Sequence, residues 1–137
     1  MPPRYFTLDE ANRMLARLRP IVEQMVEHRR RLQAAQALRA ELAERAGSNG
    51  GDLTPADFAD VEQELELETT ALAVCVEQIQ SEGAQVKDLE RGLLDFPSLR
   101  EGEEVLLCWE LGEDSIGYYH GTDEGFAGRK PLVDTGD

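Results

Sequence analysis

At 137 residues, 41% hydrophobic and 31% charged, the chain is long enough to bury one modest core, and a single domain over residues 1–137 is expected. Its net charge of −14 argues against unaided binding to nucleic acid or to an anionic membrane surface, where Lys and Arg supply most of the affinity. No apolar run approaches the roughly 20 residues that span a bilayer, and the opening MPPRYFTLDE lacks the apolar stretch of a secretory leader. The two cysteines, Cys75 and Cys108, are too few for a disulfide framework and read as reduced thiols of a cytoplasmic protein.

Charge is unevenly placed along the chain. Residues 1–46 hold nine Arg and six acids, a net of +3, whereas residues 47–137 hold five basic and 22 acidic residues, a net of −17. The basic run His28, Arg29, Arg30, Arg31 is therefore expected to pair with the acidic second helix, beside Glu66 to Thr70, and that intramolecular pairing is the preferred reading over nucleic acid.

Thr7-Leu8-Asp9-Glu10 has the form of a capping box, which starts a helix near Leu8. Apolar residues then recur at three-and-four spacing through Leu15, Leu18, Val22, Met25, Leu32, Ala35, Leu38 and Leu42. Pro20 interrupts this run, and a kink or short break around Leu18 to Pro20 is expected, since proline removes one ladder bond and clashes with the preceding turn. The stretch Gly47 to Gly51 ends the helix. Thr54-Pro55 opens a second one, with a seam at Phe58, Val61, Leu65, Leu72, Cys75 and Ile79 that ends at Gly83. The joining loop is short enough to force an antiparallel hairpin over 7–82. If the turn centres near Gly50, residue numbers across the hairpin sum to about 100, which places Arg39 beside Val61 and Glu62. His28 falls on the helix surface with no evident role.

After Gly83 the pattern changes. Ala84 to Lys87 and Leu93 to Phe96 read as short strands around a turn at Glu90 to Gly92, with Pro97 ending the second. Val105 to Trp109 is the most strand-like run, and Ile116 to His120 forms a hairpin with it across Leu111 to Ser115. Gly121 to Gly128 reads as loop, and 133–137 as a polar tail. A sheet of three or four such strands cannot stand alone and must bury a face on the helices. The fold class is therefore α+β: a long, coiled-coil-like antiparallel helical hairpin with a small C-terminal antiparallel β unit over 83–132.

The segments FTLDEAN at 6–12, LRP at 18–20, VKDLERGLLDFP at 86–97, EVLLCWELGE at 104–113, YYH at 118–120 and GFAGR at 125–129 carry a resemblance. Together they resemble a bacterial family known only as domain of unknown function 2203. The resemblance covers nearly the whole chain. It implies a bacterial, intracellular protein of uncharacterised role and supplies no catalytic residues.

Two constellations stand out chemically. His120 and Asp123, with Glu113 across the predicted hairpin and Cys108 on the neighbouring strand, offer imidazole, carboxylate and thiol donors for a divalent transition metal. Arg129 with the Gly125 and Gly128 amides could bind an anion or small ligand, with Arg91 and Asp95 alongside. The plainer reading of Asp95 is a partly buried carboxylate that Arg91 or Arg129 pairs structurally. Trp109 and Cys75 read as core. Cys108 has no nearby base in sequence, which argues against a nucleophile. No reaction is specified by any of these spacings. The leading expectation is a non-enzymatic scaffold or interaction protein, homodimeric through its hairpin, with an unidentified protein partner as a further possibility. The alternative is a small metal- or anion-binding module at the β unit.

Overall fold

The computed structural model describes residues 4–48 and 53–132, so the turn expected near Gly50 and the tail at 133–137 lie outside the described residues. The capping box forms as the sequence dictates. The Thr7 amide donates to Glu10 Oε1 at 2.8 Å, and the Glu10 amide donates to Thr7 Oγ1 at 3.1 Å. From it runs helix α1 (Leu8–Ser48), 41 residues long. A second helix, α2 (Pro55–Ser81), follows Thr54, whose amide and hydroxyl both donate to Asp57 Oδ2, at 2.8 and 3.2 Å. Pro55 at the first position needs no amide donor there.

Of the kink or short break expected at Pro20, the break does not occur: α1 passes through it as one helix. The physical reason lies in where the proline points. Pro20 is exposed, and so is Ala16 one turn back, whose carbonyl loses its ladder donor. Water can satisfy that carbonyl. The opposite stripe of Ala11, Leu15, Leu18, Val22 and Met25 is buried and holds the helix to the rest of the molecule.

The two helices pack antiparallel along the hairpin, with Arg39 Nε donating to Glu62 as the expected register requires. The basic run is divided among partners. Arg30 and Arg31 pair with Glu27 on their own helix, and Arg29 reaches Glu90. Only His28 meets α2, and it has a role after all: its Nδ1 lies 2.6 Å from Oε1 of the buried Glu68. The helical seam there carries a carboxylate rather than an apolar residue, and His28 is what satisfies it.

Five strands follow as an antiparallel meander, one more than the upper expectation: β1 (Gln85–Asp88), β2 (Leu93–Arg100), β3 (Glu103–Glu110), β4 (Tyr118–Gly121) and β5 (Lys130–Pro131). A 3-10 turn (Phe126–Gly128) precedes β5. Pro97 does not end β2, which continues to Arg100. The strand β1 pairs only with Leu93 to Asp95, so the side of Pro97 away from β3 is open. Its carbonyl accepts the Phe6 amide there at 2.8 Å. In a strand the N–H and C=O of one residue face the same way, so the donor that proline lacks would also have faced that open side. Strand β4 begins at Tyr118 rather than Ile116, because the Ile116 amide donates to Asn12 Oδ1 of α1 at 2.9 Å instead of to a neighbouring strand.

The core lies between α1, α2 and one face of the sheet. Leu94, Phe96, Leu107 and Trp109 pack on Phe6, Ala11, Leu15, Leu18, Val22 and Ile79. Arg19 ties the β3–β4 turn to α1, donating to the Asp114 carbonyl at 2.7 Å, with its guanidinium 5.3 Å from the Trp109 ring. Trp109 Nε1 donates to the Glu113 carbonyl at 2.9 Å. Further out along the hairpin a small separate cluster holds Ala35, Leu42 and Val61.

Candidate functional site

Side chains alternate between the faces of a sheet. Because Leu94, Phe96, Leu107, Trp109 and Tyr119 turn to the helices, Asp95, Cys108, Tyr118 and His120 must turn away from them. The register then brings residues from three strands together. Asp95 on β2 stands opposite Cys108 on β3, and His120 on β4 stands opposite Leu106, two residues from Cys108 on the same face. Asp95, Cys108 and His120 are all buried, and one potential ligand atom from each lies within 4.8 Å of the others.

The hydrogen bonds of this cluster define its protonation. His120 Nε2 is 3.2 Å from Asp95 Oδ1 and 3.1 Å from Oδ2. Its Nδ1 is 2.9 Å from the Gly121 carbonyl oxygen, which can only accept, so Nδ1 carries a hydrogen. Nε2 therefore faces the Asp95 carboxyl group. Burial pushes the Asp95 carboxyl above its ordinary value, with the His120 charge and hydrogen bond opposing. The Cys108 thiol is pushed up to about 12, first by burial and then by the negative charge of Asp95. At neutral pH it is a thiol, not a nucleophilic thiolate.

A stack of alternating rings and guanidinium groups lies on the same face. The Arg129 guanidinium carbon is 3.7 Å from the centre of the Tyr118 ring and 4.5 Å from that of Phe126, and the Arg91 guanidinium carbon is 4.1 Å from the centre of the Phe126 ring. Each cation is also paired: Arg129 donates to Glu113 Oε2 at 2.5 Å, and Arg91 Nε to Glu110 Oε2 at 2.8 Å. Both arginines are near enough to Cys108 for their charges to act on it. The Nε of Arg129 is buried without a hydrogen-bond partner among the described residues.

The residues singled out by sequence are thus regrouped. Of the expected metal donors, His120 and Cys108 come together, but Asp95 joins them where Asp123 and Glu113 were expected. Asp123 is exposed on the loop after β4, and Glu113 is engaged by Arg129 and by the Glu110 amide. The partner of Asp95 is His120 rather than Arg91 or Arg129, since those two are drawn to Glu110 and Glu113. The expected anion position is filled from within. Glu124 accepts the Gly121 amide at 2.8 Å and Lys130 Nζ at 3.1 Å, and its side chain lies 3.1 Å from where a Cβ on Gly128 would stand. The Gly128 amide donates to the Gly125 carbonyl. No spacing signal could have joined Asp95 to His120, because the pairing depends on the register of three strands.

A second feature is a groove of about 540 Å³ near the far end of the hairpin. Its floor is Ala34, Ala35, Leu38, Leu42 and Val61, with Arg31 on the α1 edge and Asp57, Asp60 and Glu64 on the α2 edge. Leu38 is 48% exposed in its middle.

A long helical hairpin closed at one end by an antiparallel meander, with a polar cluster on the meander's outer face, defines an α+β protein. Residues 4–132 match the model of the family described as uncharacterized conserved protein (DUF2203), and the chain belongs to that family. No curated protein and no solved structure matches it. Among the described residues no helix is long and apolar enough to cross a membrane.

Proposed function

We propose that this chain is a non-enzymatic interaction protein of the bacterial cytoplasm that acts as a homodimer, joined through the outer part of its coiled-coil-like hairpin. The observation that carries this reading is the groove between residues 31 and 64. Its apolar floor is only half covered, since two helices alone leave Leu38 open to solvent. Its edges are complementary to each other: Arg31 lines the α1 side, and Asp57, Asp60 and Glu64 line the α2 side. A two-fold axis through the groove sets the basic edge of each copy against the acidic edge of the other, which is the self-complementarity an isologous interface needs. It also sets Leu38 of one copy on the floor of the other and completes a four-helix arrangement.

Sedimentation equilibrium over a micromolar concentration range tests the reading. A mass of twice 15.3 kDa is expected. A monomer throughout that range would remove it.

A further inference from the structure

We propose that Asp95, Cys108 and His120 form a binding site for one divalent cation of the zinc or cobalt type. The site lies apart from the hairpin groove, and it does not depend on the dimer.

Four observations converge on it. The three residues supply a carboxylate oxygen, a thiol sulfur and an imidazole nitrogen, the donor mixture that borderline cations of this type accept. Their ligand atoms already lie within 4.8 Å of one another, and the closest approach, Nε2 to the Asp95 oxygens, is 3.1 Å. A tetrahedral ion with bonds of about 2.0–2.3 Å separates its donors by roughly 3.3–3.7 Å, so only small side-chain adjustments are needed. The donors are mounted on three adjacent paired strands rather than on a loop. Finally, His120 donates from Nδ1 to the Gly121 carbonyl, which turns Nε2 toward Asp95 and Cys108. A backbone carbonyl on the other ring nitrogen is the usual support of a metal-ligating histidine.

Charge fits as well. Entry of the ion displaces the thiol proton of Cys108, together with any proton lying between Asp95 and His120 Nε2. The product is a dication with one thiolate, one carboxylate and one neutral imidazole. It is neutral, so a buried position can hold it without a stranded charge. Three protein donors leave a fourth position for a solvent molecule or small anion, and the unpartnered Nε of Arg129 is a buried donor in the same neighbourhood.

Cobalt provides the test. Protein prepared without a polyhistidine tag and treated with a chelator is titrated with Co²⁺. The expected result is a thiolate-to-cobalt charge-transfer band in the near ultraviolet, saturating at one ion per chain. The band should be retained in Cys75→Ser and lost in Cys108→Ser. X-ray absorption of the zinc-loaded wild-type chain needs no variant, and it should show one sulfur at about 2.3 Å with nitrogen or oxygen donors at about 2.0 Å. Absence of the band in folded wild-type protein overturns the proposal. So does a band that survives Cys108→Ser, or a zinc shell without sulfur.

Discussion

Gly92 is the point where the turn between β1 and β2 meets helix α1, and replacing it by alanine is a quantitative probe of that junction. Its φ is +67°, and an added Cβ would stand 2.9 Å from Leu111 Cβ, 3.0 Å from Val22 Cγ1 and 3.2 Å from Val26 Cγ2. The left-handed conformation costs alanine about 1–2 kcal/mol, offset in part by about 0.4–1 kcal/mol from the stiffer unfolded chain. Overpacking adds roughly 1–3 kcal/mol, because the nearest neighbour is a Cβ that cannot swing aside. Gly92→Ala is therefore expected to destabilise the fold by about 2–4 kcal/mol. Gly102→Ala supplies the control: its φ is +82°, with nothing within 4 Å of the added Cβ. It should lose only about 0.5–1 kcal/mol. Urea unfolding followed by circular dichroism measures both, with the slope m unchanged if only stability has moved. Equal losses in the two variants would refute the packing argument, because backbone conformation alone would then account for Gly92.

Other expectations follow from the same structure. With about half its surface exposed, Leu38 has roughly 1 kcal/mol per copy left to gain on burial, so Leu38→Ala should weaken the proposed dimer about 10- to 100-fold by sedimentation without lowering monomer stability. His28→Ala strands the buried Glu68 carboxylate and should cost about 2–3 kcal/mol in urea, whereas a loss near zero would mean water replaces the imidazole. The Thr7 amide, then the Thr7 hydroxyl, hold Glu10 below its ordinary value of 4.5. The folded pKa is the lower one, so the stabilisation is present above pH 4.5 and is lost as pH falls through the folded value. Glu10→Gln keeps an acceptor but should flatten the stability profile in that acidic window. Pro20→Ala restores the ladder donor to Ala16 and should raise stability by about 1–3 kcal/mol in thermal or urea unfolding.

Much of the helical half was legible because its signals are local. Thr7 with Glu10 and Thr54 with Pro55 mark helix starts within a few residues, and the hairpin's symmetry places Arg39 against Glu62 from the sequence alone. Pro20 and Pro97 both lie inside elements that continue through them. Proline rules state what the residue removes, not what else can make up for it: at Pro97 the lost donor would have faced an open edge, and at Pro20 the orphaned Ala16 carbonyl faces water. The two-residue strand β5 carries too little pattern to be seen. The buried cluster was half visible: Cys108 and His120 were grouped by residue type, but Asp95 was assigned to arginines. Nearness in sequence favoured Arg91, and only the β2–β3–β4 register reveals His120.

The way Phe6 meets the sheet has a consequence for the order in which the molecule can be made. Phe6 donates its amide to Pro97 and accepts from Ser98 Oγ at 2.6 Å, a contact between residues 92 apart in the chain. During synthesis both helices are complete before the first strand exists. The distal hairpin can zip at once from local contacts. The stripe from Ala11 to Val22 cannot, because Leu94, Phe96, Leu107 and Trp109 have not yet been made. The nascent chain thus carries an apolar face for as long as translation of the meander takes, several seconds at about 5–20 residues per second. Phe6, made long before the sheet, is among the last residues to find its place.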